Sequence, residues 1–435
     1  MNKVYDAIII GAGIIGASIA FELAKKGYRT LNVDKLGVAG AGSTGNTCGV
    51  IRTHYSTLEG TAMAYESYLH WKRWPEYLGV EDERGYAIFH ETGLVILCGE
   101  HHDMQMHVDF HRELGIPIEL WDADMLQAKL PFIDVNAYYP PRRPDDEEFG
   151  QASGQTLSGA IFLPCAGYIN DPQLSVHNVQ RAAEARGAEF RFRAEVKEIR
   201  KEDGRVAGIA LQNGDAIDAP VVVNAAGPHS FVINRIAGVD KSMKIRTRAL
   251  RHEVHFVPAP ADYDLEKDGR VISDDDIAGY SRPETGNLLL IGSQDPECDP
   301  LEWVEDPDHF NRDVTDGQWR AQVMRQAQRI PSLPVPGQAM GIVDLYDVSD
   351  DWIPIYDKSD LPGFYMAVGT SGNQYKNGSM AGLLMAELVD ACENGRDHDA
   401  DPVKVRCPIT GFELNAGFYS RNRDIVEGSS FSVLG

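Results

Sequence analysis

Residues 4–34 read VYDAIIIGAGIIGASIAFELAKKGYRTLNVD, and this stretch decides the fold. Its apolar, β-branched start at 4–10 predicts a buried strand, and the turn GAGIIG follows at once. A helical pattern over 17–26 and a second short strand come next, and that strand ends at Asp34. A strand, a G-x-G-x-x-G turn, a helix, a strand and an acid, in this order, are the fingerprint of a βαβ unit that binds a dinucleotide.

Each part of the fingerprint has a physical role. Gly11 permits the tight turn, Gly13 lets the backbone approach a pyrophosphate because it has no Cβ, and Gly16 lets the helix pack on the strands. The helix N-terminus offers free N–H groups to phosphate oxygens, and Asp34 can accept hydrogen bonds from ribose hydroxyls. The alternative is a glycine-rich turn that holds no ligand. The cofactor contacts predicted in this unit are Gly11, Ala12, Gly13, Ile14, Ile15, Gly16, Asp34 and Lys35.

The chain has 435 residues, a formal net charge of −24 and six cysteines. This length allows two or three domains with a large core. The acidic charge argues against nucleic acid and anionic membranes as partners, because both attract basic patches. The sequence has no C-x-x-C pair and no apolar stretch of membrane-spanning length, so we expect free thiols and a cytoplasmic protein without membrane insertion. His107 and His111 have metal-ligand spacing, but a solvated polar face is the preferred interpretation and no metal site is predicted.

Helical and strand patterns continue along the rest of the chain. An amphipathic helix is predicted at 59–74, a hairpin at 87–97, a long loop at 138–158 and a β-meander at 195–211. The expected fold class is α/β (α+β), with a Rossmann-like nucleotide-binding domain and a second, mainly antiparallel β-sheet domain. The predicted boundaries are 1–85, 150–235 and 340–400 for the first domain, 86–149 and 236–339 for the second, and 401–435 for a C-terminal tail.

Four further motifs follow the first fingerprint along the chain: GSTGNTCGVIRTHYS at 42–56, GYINDP at 167–172, the meander DGRVAGIALQNG that runs into VVVNAAGP over 203–228, and GFYMAVGTSGNQYKNG at 363–378. Together these motifs resemble the D-amino-acid-oxidase-like family of FAD enzymes, in particular its sarcosine oxidase branch, which includes the sarcosine oxidase beta subunit. The resemblance covers most of the chain. It implies FAD as the cofactor, although the glycine motif alone would equally suit NAD, and a second domain that binds the substrate.

The resemblance extends the FAD site to other parts of the chain. Ser43 and Thr44 could donate hydroxyl hydrogen bonds to the pyrophosphate, with plain loop polarity as the alternative. Val196 begins the meander where similar proteins hold the adenine by main-chain bonds, and the helix after 369–378 would direct its N-terminal dipole at the flavin. The implied contacts are Ser43, Thr44, Asn46, Thr47, Cys48, Gly49, Val196, Ala226, Gly227, Gly372, Asn373, Gln374, Tyr375 and Lys376.

Three features depart from the family pattern. The stretch that holds a flavin-linking Cys in some relatives reads VDLYD at 343–347, so FAD should bind non-covalently, with Cys48 as a remote candidate for a link. The oxygen-activating Lys of the resembling oxidases falls at Leu290, and an active-site His falls at Gln294. The electron acceptor, whether oxygen or another carrier, therefore stays open.

In the sarcosine oxidase pattern an Arg and a Lys hold the substrate carboxylate, and Arg52 and Lys376 occupy these positions. An Arg fork binds a carboxylate bidentately, and a Lys adds a point charge. Two surface cations are the alternative. Tyr280 matches an active-site Tyr of the branch, with a core or rim Tyr as the alternative, and His54 could line the site or merely pack. Arg52, Lys376, Tyr280 and His54 are the predicted catalytic residues.

These features predict an FAD-dependent oxidoreductase that oxidises the C–N bond of an amino acid or N-alkyl amino acid, such as an N-methyl one. Hydride would pass from this small carboxylate-bearing amine to flavin N5, and the imine would hydrolyse. A flavin dehydrogenase of a hydroxy acid would use the same two cations. A flavoprotein subunit of a larger electron-transfer complex would need no oxygen-activating Lys. The sequence is compatible with a homo- or a hetero-oligomer.

Overall fold

The computed structural model describes residues 5–99, 105–261 and 263–435. Within these residues the strands, β1 to β23 in chain order, are Ala7–Ile10, Thr30–Val33, Val50–Ile51, Phe89–His90, Leu94–Cys98, Glu119–Asp122, Gly159–Leu163, Gly167–Ile169, Glu189–Arg191, Val196–Glu202, Arg205–Leu211, Ala216–Asp218, Val221–Asn224, Thr247–Pro258, Val271–Asp274, Gly279–Glu284, Leu288–Ser293, Glu302–Val304, Gly341–Ser349, Ile355–Lys358, Phe364–Val368, Lys404–Arg406 and Glu413–Asn415. The helices of the same residues, α1 to α10, are Ile14–Lys25, Leu58–Lys72, Trp74–Leu78, Gln105–Glu113, Ala123–Lys129, Pro172–Glu184, Ser230–Ala237, Leu265–Asp268, Asp316–Arg329 and Gly378–Glu393.

The first sheet is mostly parallel and forms the centre of the nucleotide-binding unit. Its order is β20–β21–β13–β1–β2–β9, and every neighbouring pair is parallel except β20 with β21. β1, β2, β13 and β21 are buried along their whole length, as parallel strands are when both faces of their sheet are covered. α1, α6 and α10 cover one face, and the β10–β11–β12 sheet with α7 covers the other. The predicted Rossmann-like architecture is therefore confirmed.

The turn between β1 and α1 contains two glycines that lie very close to neighbouring backbone atoms. Gly11 has a φ of +110°, and a Cβ at this position would lie 2.2 Å from the carbonyl oxygen of Ala225. A Cβ on Gly16 would lie 2.1 Å from the carbonyl oxygen of Gly11. Neither position has room for a side chain, which is the physical reason for glycine at both. α1 begins earlier than predicted, at Ile14, because Gly13 serves as its N-cap.

The second sheet is mainly antiparallel, as predicted. Its path is β18–β14–β17–β16–β15–β5–β7–β6, with β19 also paired to β14. β15 and β5 are parallel neighbours, and the other pairs are antiparallel. α9 packs on one face, where Trp319 and Val323 share a buried apolar cluster with Leu289 and Ile291 of β17. Because side chains alternate along a strand, Leu290 points to the opposite face.

The hairpin predicted at 87–97 is wrong. β4 pairs with β8, whereas β5 pairs with β7 and β15, so the chain passes from one sheet to another at this turn. Gly93 makes the turn with a φ of +73° and donates its N–H to the carbonyl oxygen of Ala166 at 2.9 Å. Both strands pair with segments that lie far along the chain, and a local pattern of strand, turn and strand cannot reveal this.

The helix predicted at 59–74 is divided. α2 ends at Lys72 and α3 begins at Trp74, with Pro75 in its first turn. Proline has no N–H to continue a helix but suits the start of a new one. The meander is confirmed, since β10 and β11 form an antiparallel pair and β12 continues it.

The domain boundaries remain a prediction, and two strands pair in a different sheet from the one that these boundaries imply. β7 and β19 belong to the antiparallel sheet, although the sequence assigns 150–235 and 340–400 to the nucleotide-binding domain. Residues 401–435 carry β22 and β23 and then return to Arg52. In the described part of the chain, no helix has the length and apolar character needed to cross a membrane.

Candidate active site

A cavity of about 500 Å³ lies at the carboxyl ends of β1, β2, β13 and β21. Ligands of open parallel sheets bind at this edge, and the volume suits a small-molecule ligand or cofactor. The predicted cofactor contacts that line it are Gly11, Gly13, Ile14, Ile15, Asp34, Lys35, Ser43, Thr44, Asn46, Thr47, Cys48, Val196, Ala226, Gly227, Gly372, Gln374 and Tyr375. The predicted contacts that do not contribute to its described wall are Ala12, Gly16, Gly49, Asn373 and Lys376.

The nucleotide end of the cavity has the features that a bound pyrophosphate needs. Gly13 caps α1 without a side-chain hydrogen bond, and the first turn of the helix carries no acidic residue. Its N–H groups and dipole can therefore act on an anion. Thr44 Oγ1 accepts the N–H of Ile14 at 3.2 Å, which leaves its own hydroxyl proton to donate. Asp34 accepts the N–H groups of Ala12 and Leu36, both at 2.8 Å, which fixes its carboxylate at the end of β2.

Lys35 is already engaged in the structure. Its Nζ lies 2.8 Å from His229 Nε2 and forms an ion pair with Asp308. Asp308 also contacts His229 Nε2 at 3.0 Å. Asp308 comes shortly after β18 of the antiparallel sheet, and Lys35 comes shortly after β2 of the parallel sheet. Both residues line the cavity, so this cluster joins the two sheets beside it.

Ser43 and Asn46 hold the wall of the cavity against β19. Ser43 Oγ donates to the carbonyl oxygen of Leu345 at 2.9 Å, and Asn46 Nδ2 donates to Asp344 Oδ2 at 2.6 Å. The hydroxyl proton of Ser43, predicted for the pyrophosphate, is therefore used by the protein. Asp344 lies in the stretch where some relatives carry a linking Cys, and Cys48 is a free thiol.

Arg52 follows β3 and is buried, with 6% of its surface exposed. Its Nη1 donates to the carbonyl oxygen of His54, and its Nη2 donates to those of Val433 and Leu434 at 2.9 and 2.7 Å. The guanidinium carbon lies 4.5 Å from the centre of the Tyr55 ring. Burial lowers the pKa of this guanidinium below its usual value.

Lys376 contacts the same tyrosine. Its Nζ donates to the carbonyl oxygen of Asn373 at 2.7 Å and to Tyr55 Oη at 3.3 Å. Burial, with the positive charge of Arg52 as a second cause, lowers the pKa of Lys376 well below its usual range. Within the described ranges, neither Arg52 nor Lys376 forms an ion pair with an acidic side chain. The structure thus brings the two predicted cations together around Tyr55.

Tyr55 is a site residue that the sequence analysis misses. It stands three residues after Arg52 in the same motif, but nothing in the spacing shows that its ring contacts both basic side chains. It is buried, and its hydroxyl donates to the carbonyl oxygen of Asn373 and accepts from Asn377 Nδ2 at 3.2 Å. Burial raises the pKa of Tyr55 to about 12, so the hydroxyl stays protonated.

Tyr280 is a neighbour of Arg52 and of Cys48, which lines the cavity. A Cβ on Gly292 would lie 2.2 Å from its ring carbon Cζ, so this glycine makes room for the ring on the neighbouring strand. Burial raises the pKa of Tyr280 well above its usual value, with the adjacent Cys48 as the next cause. Tyr346 is also a neighbour and stacks on His252 at a centroid distance of 4.4 Å.

His54 is buried beside Arg52, and its Nδ1 has no hydrogen-bond partner among the described residues. Burial, reinforced by the charge of Arg52, lowers the pKa of His54 well below its usual value, so the ring is neutral. The solvated polar face predicted around His111 is wrong at that residue. His111 is buried, and both ring nitrogens have partners inside the protein: Nε2 lies 3.0 Å from Thr53 Oγ1, and Nδ1 lies 2.7 Å from the carbonyl oxygen of His107.

Leu290 and Gln294 lie near Tyr280 on the antiparallel sheet. Leu290 is buried on β17 directly opposite Arg282 of β16. The guanidinium of Arg282 is engaged, since its Nη2 pairs with Glu284 at 2.8 Å and its Nε donates to the carbonyl oxygen of Cys48. Gln294 Nε2 donates to Ser273 Oγ at 2.9 Å.

Asp347 is a second site residue that the sequence analysis misses. It lines the cavity, is buried, and accepts hydrogen bonds from Ser230 Oγ at 2.7 Å and from the N–H of Gly369 at 2.6 Å. Burial raises the pKa of Asp347 to about 7, because these hydrogen bonds only partly offset the loss of water. The residue gives no sequence signal, since a single Asp within a strand pattern is ordinary.

Comparison with known proteins identifies relatives over nearly the whole chain. Glycine oxidase of Geobacillus kaustophilus is 25% identical over 411 residues, which cover 91% of this chain and 96% of the relative. Sarcosine oxidase subunit beta of Rhizobium meliloti is 26% identical over 399 residues, covering 88% of this chain and 84% of the relative. Among solved structures, L-proline dehydrogenase from P. horikoshii superposes with a TM-score of 0.73 at 19% identity, covering 97% of this chain and 98% of that one.

A family model gives the assignment. The model described as "FAD dependent oxidoreductase" matches residues 6–388, which include β1 and most of α10. The open N-terminus of α1, the carboxylate of Asp34 and the cavity between the two sheets are the features that FAD requires. The chain therefore belongs to the FAD-dependent oxidoreductase family, with FAD as the cofactor that its cavity fits.

Proposed function

We propose that this protein uses FAD to oxidise the C–N bond of a small amino acid or N-methyl amino acid. The observation that carries the proposal is the pair of buried basic residues, Arg52 and Lys376, which form no close ion pair in the part of the chain that is described; the charge of Asp275 acts on Arg52 from a greater distance. Buried cations are costly without a counter-charge, and a ligand carboxylate would supply one. Relatives that are named glycine oxidase and sarcosine oxidase subunit beta support the same substrate class.

The two basic residues suit a carboxylate in different ways. The fork of Arg52 can bind two carboxylate oxygens, while Lys376, beside the hydroxyl of Tyr55, contributes a compact charge. Because burial lowers the pKa of Lys376, its amine loses a proton more easily in the free protein than in water. A bound carboxylate favours the ammonium form, so substrate binding raises this pKa and couples to proton uptake.

Arg52 and Lys376, which we call the clamp, bind the substrate, and the residues around them orient it. The chemistry that bound FAD supplies is acceptance of a hydride at flavin N5, which converts the amine to an imine that water hydrolyses. Arg52 and Lys376 fix the carboxylate end, while Tyr280 is a neighbour of both Arg52 and Tyr346, and Tyr346 lines the cavity. A substrate that binds as the free amine needs no side chain to remove a proton, so orientation by the clamp is the main contribution of the chain.

We also propose that FAD is bound without a covalent link. Asp344, in the stretch where some relatives carry a linking Cys, cannot form a thioether, and Cys48 in the cavity wall is a free thiol. The purified protein should be yellow, and acid precipitation should release free FAD into the supernatant. Flavin that stays with the precipitated protein would show that this part of the proposal is wrong, and a Cys48→Ser variant would then test the nearest thiol.

A second candidate is a flavoprotein that passes its electrons to a carrier or partner subunit instead of oxygen. The observation that favours it is Leu290, an aliphatic side chain buried beside the engaged Arg282. This candidate changes the electron acceptor and leaves the substrate site as described. A hydroxy acid in place of the amine would also use the same two cations.

Anaerobic bleaching of the flavin tests the substrate class directly. The FAD-loaded protein is mixed without oxygen with a panel of amino acids, N-methyl amino acids and hydroxy acids of similar size. Loss of flavin absorbance with amines, and its persistence with the matching hydroxy acids, is the expected result. Bleaching by hydroxy acids alone would show that the proposal is wrong and that the protein is a flavin dehydrogenase of a hydroxy acid.

A further inference from the structure

Residues 429–435, which we call the strap, lie directly on Arg52. The carbonyl oxygens of Val433 and Leu434 accept hydrogen bonds from Arg52 Nη2 at 2.9 and 2.7 Å. The N–H of Ser56 donates to the carbonyl oxygen of Gly435 at 2.8 Å, and Ser56 Oγ accepts the N–H of Ser430 at 3.2 Å. A segment from the far end of the described chain therefore uses the donors that the proposed function assigns to a substrate carboxylate.

The strap also has a side-chain contact near the cavity. Val433 packs against a small buried cluster formed by Leu250, Val348 and Trp352, to which Tyr346 of the cavity wall also belongs. Ser429 Oγ donates to the carbonyl oxygen of Asp351 at 2.6 Å. The strap thus links the guanidinium of Arg52 to a cluster that also packs against Tyr346, which lines the FAD cavity.

We propose that the strap is an internal competitor of the substrate: it occupies the carboxylate position on Arg52 and must withdraw before a carboxylate can bind there. This proposal rests on the proposed function of Arg52. Two peptide carbonyls bring partial charges to the guanidinium, whereas a carboxylate brings a full negative charge and can bind bidentately. A substrate carboxylate therefore binds Arg52 more strongly than the strap does and can displace it. A ligand without a carboxylate cannot displace the strap.

The strap is held by contacts that can open locally. Its anchors are hydrogen bonds, of which those from Arg52 are the ones with a charged donor, and one valine at the edge of a small cluster. Among the described residues, no ion pair holds the strap. Phe431 has a φ of +48°, in the left-handed region that side chains disfavour, and 46% of its surface is exposed. A short segment with an unfavourable backbone conformation and few buried apolar contacts is of the type that opens without global unfolding.

Hydrogen–deuterium exchange on the FAD-loaded protein tests whether an anion displaces the strap. The backbone N–H groups of residues 429–435 should exchange faster in the presence of acetate, used as a carboxylate that cannot be oxidised, than in the presence of chloride at equal ionic strength. In Arg52→Ala the strap should exchange rapidly in both salts, because its main contact is absent. Equal protection of the wild-type strap in both salts would overturn the proposal.

Kinetics on strap variants give an independent test. A chain that ends at Glu427, and the variant Val433→Ser in the full chain, should both lower KM for a carboxylate-bearing amine by roughly fivefold or more, because apparent affinity scales with the fraction of open protein. Ile425→Ser, an equivalent change at an exposed residue before the strap, should leave KM unchanged. A higher KM in both strap variants would show that the strap helps to bind the substrate, which is the opposite of the proposal.

The two proposals can fail separately. If no carboxylate-bearing amine bleaches the flavin, the proposed function fails, whatever the strap does. If such amines bleach the flavin but neither strap variant lowers KM and acetate leaves the exchange unchanged, the function stands and the competitor role of the strap is wrong.

Discussion

The side-chain nitrogen of Lys376 lies 3.3 Å from the hydroxyl oxygen of Tyr55. The guanidinium of Arg52 stacks on the ring of the same residue, 4.5 Å from its centre. A tyrosine can accommodate two cations because its face and its hydroxyl oxygen both carry partial negative charge. The ring therefore sets the separation of the two basic groups, and with it the position of the carboxylate that they would bind.

Tyr55→Phe should weaken catalysis without disturbing FAD. The change keeps the ring under Arg52 but removes the hydroxyl that accepts from Lys376 and donates to the carbonyl oxygen of Asn373. We expect kcat/KM for a carboxylate-bearing amine to fall about tenfold, the effect of one hydrogen bond to a charged group. Tyr419→Phe, at a buried tyrosine whose hydroxyl meets the sulfur of Met63 at 3.8 Å, is the matched control. Unchanged kcat/KM in Tyr55→Phe would remove this residue from the site.

Truncation of either member of the clamp should act mainly on the substrate. Arg52→Ala and Lys376→Ala should each weaken a carboxylate-bearing substrate by roughly 2–4 kcal/mol, the range for removing one partner of a buried charge pair. Steady-state kcat/KM gives this number, and flavin absorbance after gel filtration shows whether Arg52→Ala keeps FAD. Lys404→Ala, at an exposed lysine, serves as the control. The clamp assignment is lost if Arg52→Ala turns over substrate as well as the unaltered protein does.

Local geometry explains which parts of this fold the sequence predicts. The turn at Gly11 and Gly16 is specified within a few residues, because each glycine avoids a collision with adjacent backbone. The hairpin predicted at 87–97 fails since hydrogen-bond partners from 159–169 compete successfully with the nearer strand. Propensity describes a strand well but gives no information on which distant strand will pair with it.

In the candidate site, too, the sequence predicts what local motifs specify and misses what depends on distant segments. The positions of Arg52 and Lys376 follow from motifs, and the structure brings them to one tyrosine although more than 300 residues separate them. The strap on Arg52 is invisible in the sequence, because carbonyl oxygens are present at every residue and carry no signature. The raised pKa of Asp347 is equally hidden, since it depends on burial by elements that are distant in sequence.

Asp347 should make stability depend on pH. Burial raises its pKa to about 7 in the folded protein, so the folded state binds this proton more tightly than the unfolded state does. The stability that protonated Asp347 contributes to the folded state is fully present below the usual Asp pKa of ~3.9, and it is lost as pH rises through about 7. Asp347→Asn mimics the protonated acid, so at pH 8 the variant should be more stable than the unaltered protein by about 1–3 kcal/mol, with little difference at pH 4.

Urea unfolding with saturating FAD, at pH 4 and pH 8, measures this effect. Asp215→Asn is a useful control, because Arg191 lowers the pKa of that exposed carboxyl and it cannot produce the same trend. If Asp347→Asn is less stable than the unaltered protein at pH 8, the carboxylate form is the one that the fold favours, and the assignment of a protonated Asp347 is wrong.

Leu290 should make reoxidation of the reduced flavin by oxygen slow. Electron transfer to oxygen develops negative charge, which a nearby cation stabilises and an aliphatic side chain does not. Leu290 is buried on the face of the sheet that carries Tyr280, and the neighbouring Arg282 is paired with Glu284. Stopped-flow mixing of the reduced protein with oxygen should therefore give a rate well below that of reduction by substrate, and artificial dyes should reoxidise the flavin faster.

The variant Leu290→Lys should raise the rate of reoxidation by oxygen about tenfold or more, which corresponds to a gain of ~1.4 kcal/mol of charge stabilisation. Leu290→Met, a change of similar volume that adds no charge, should leave this rate unaltered. Oxygen reactivity in the unaltered protein that matches substrate reduction would instead define an oxidase, in which a cation other than one at position 290 assists oxygen.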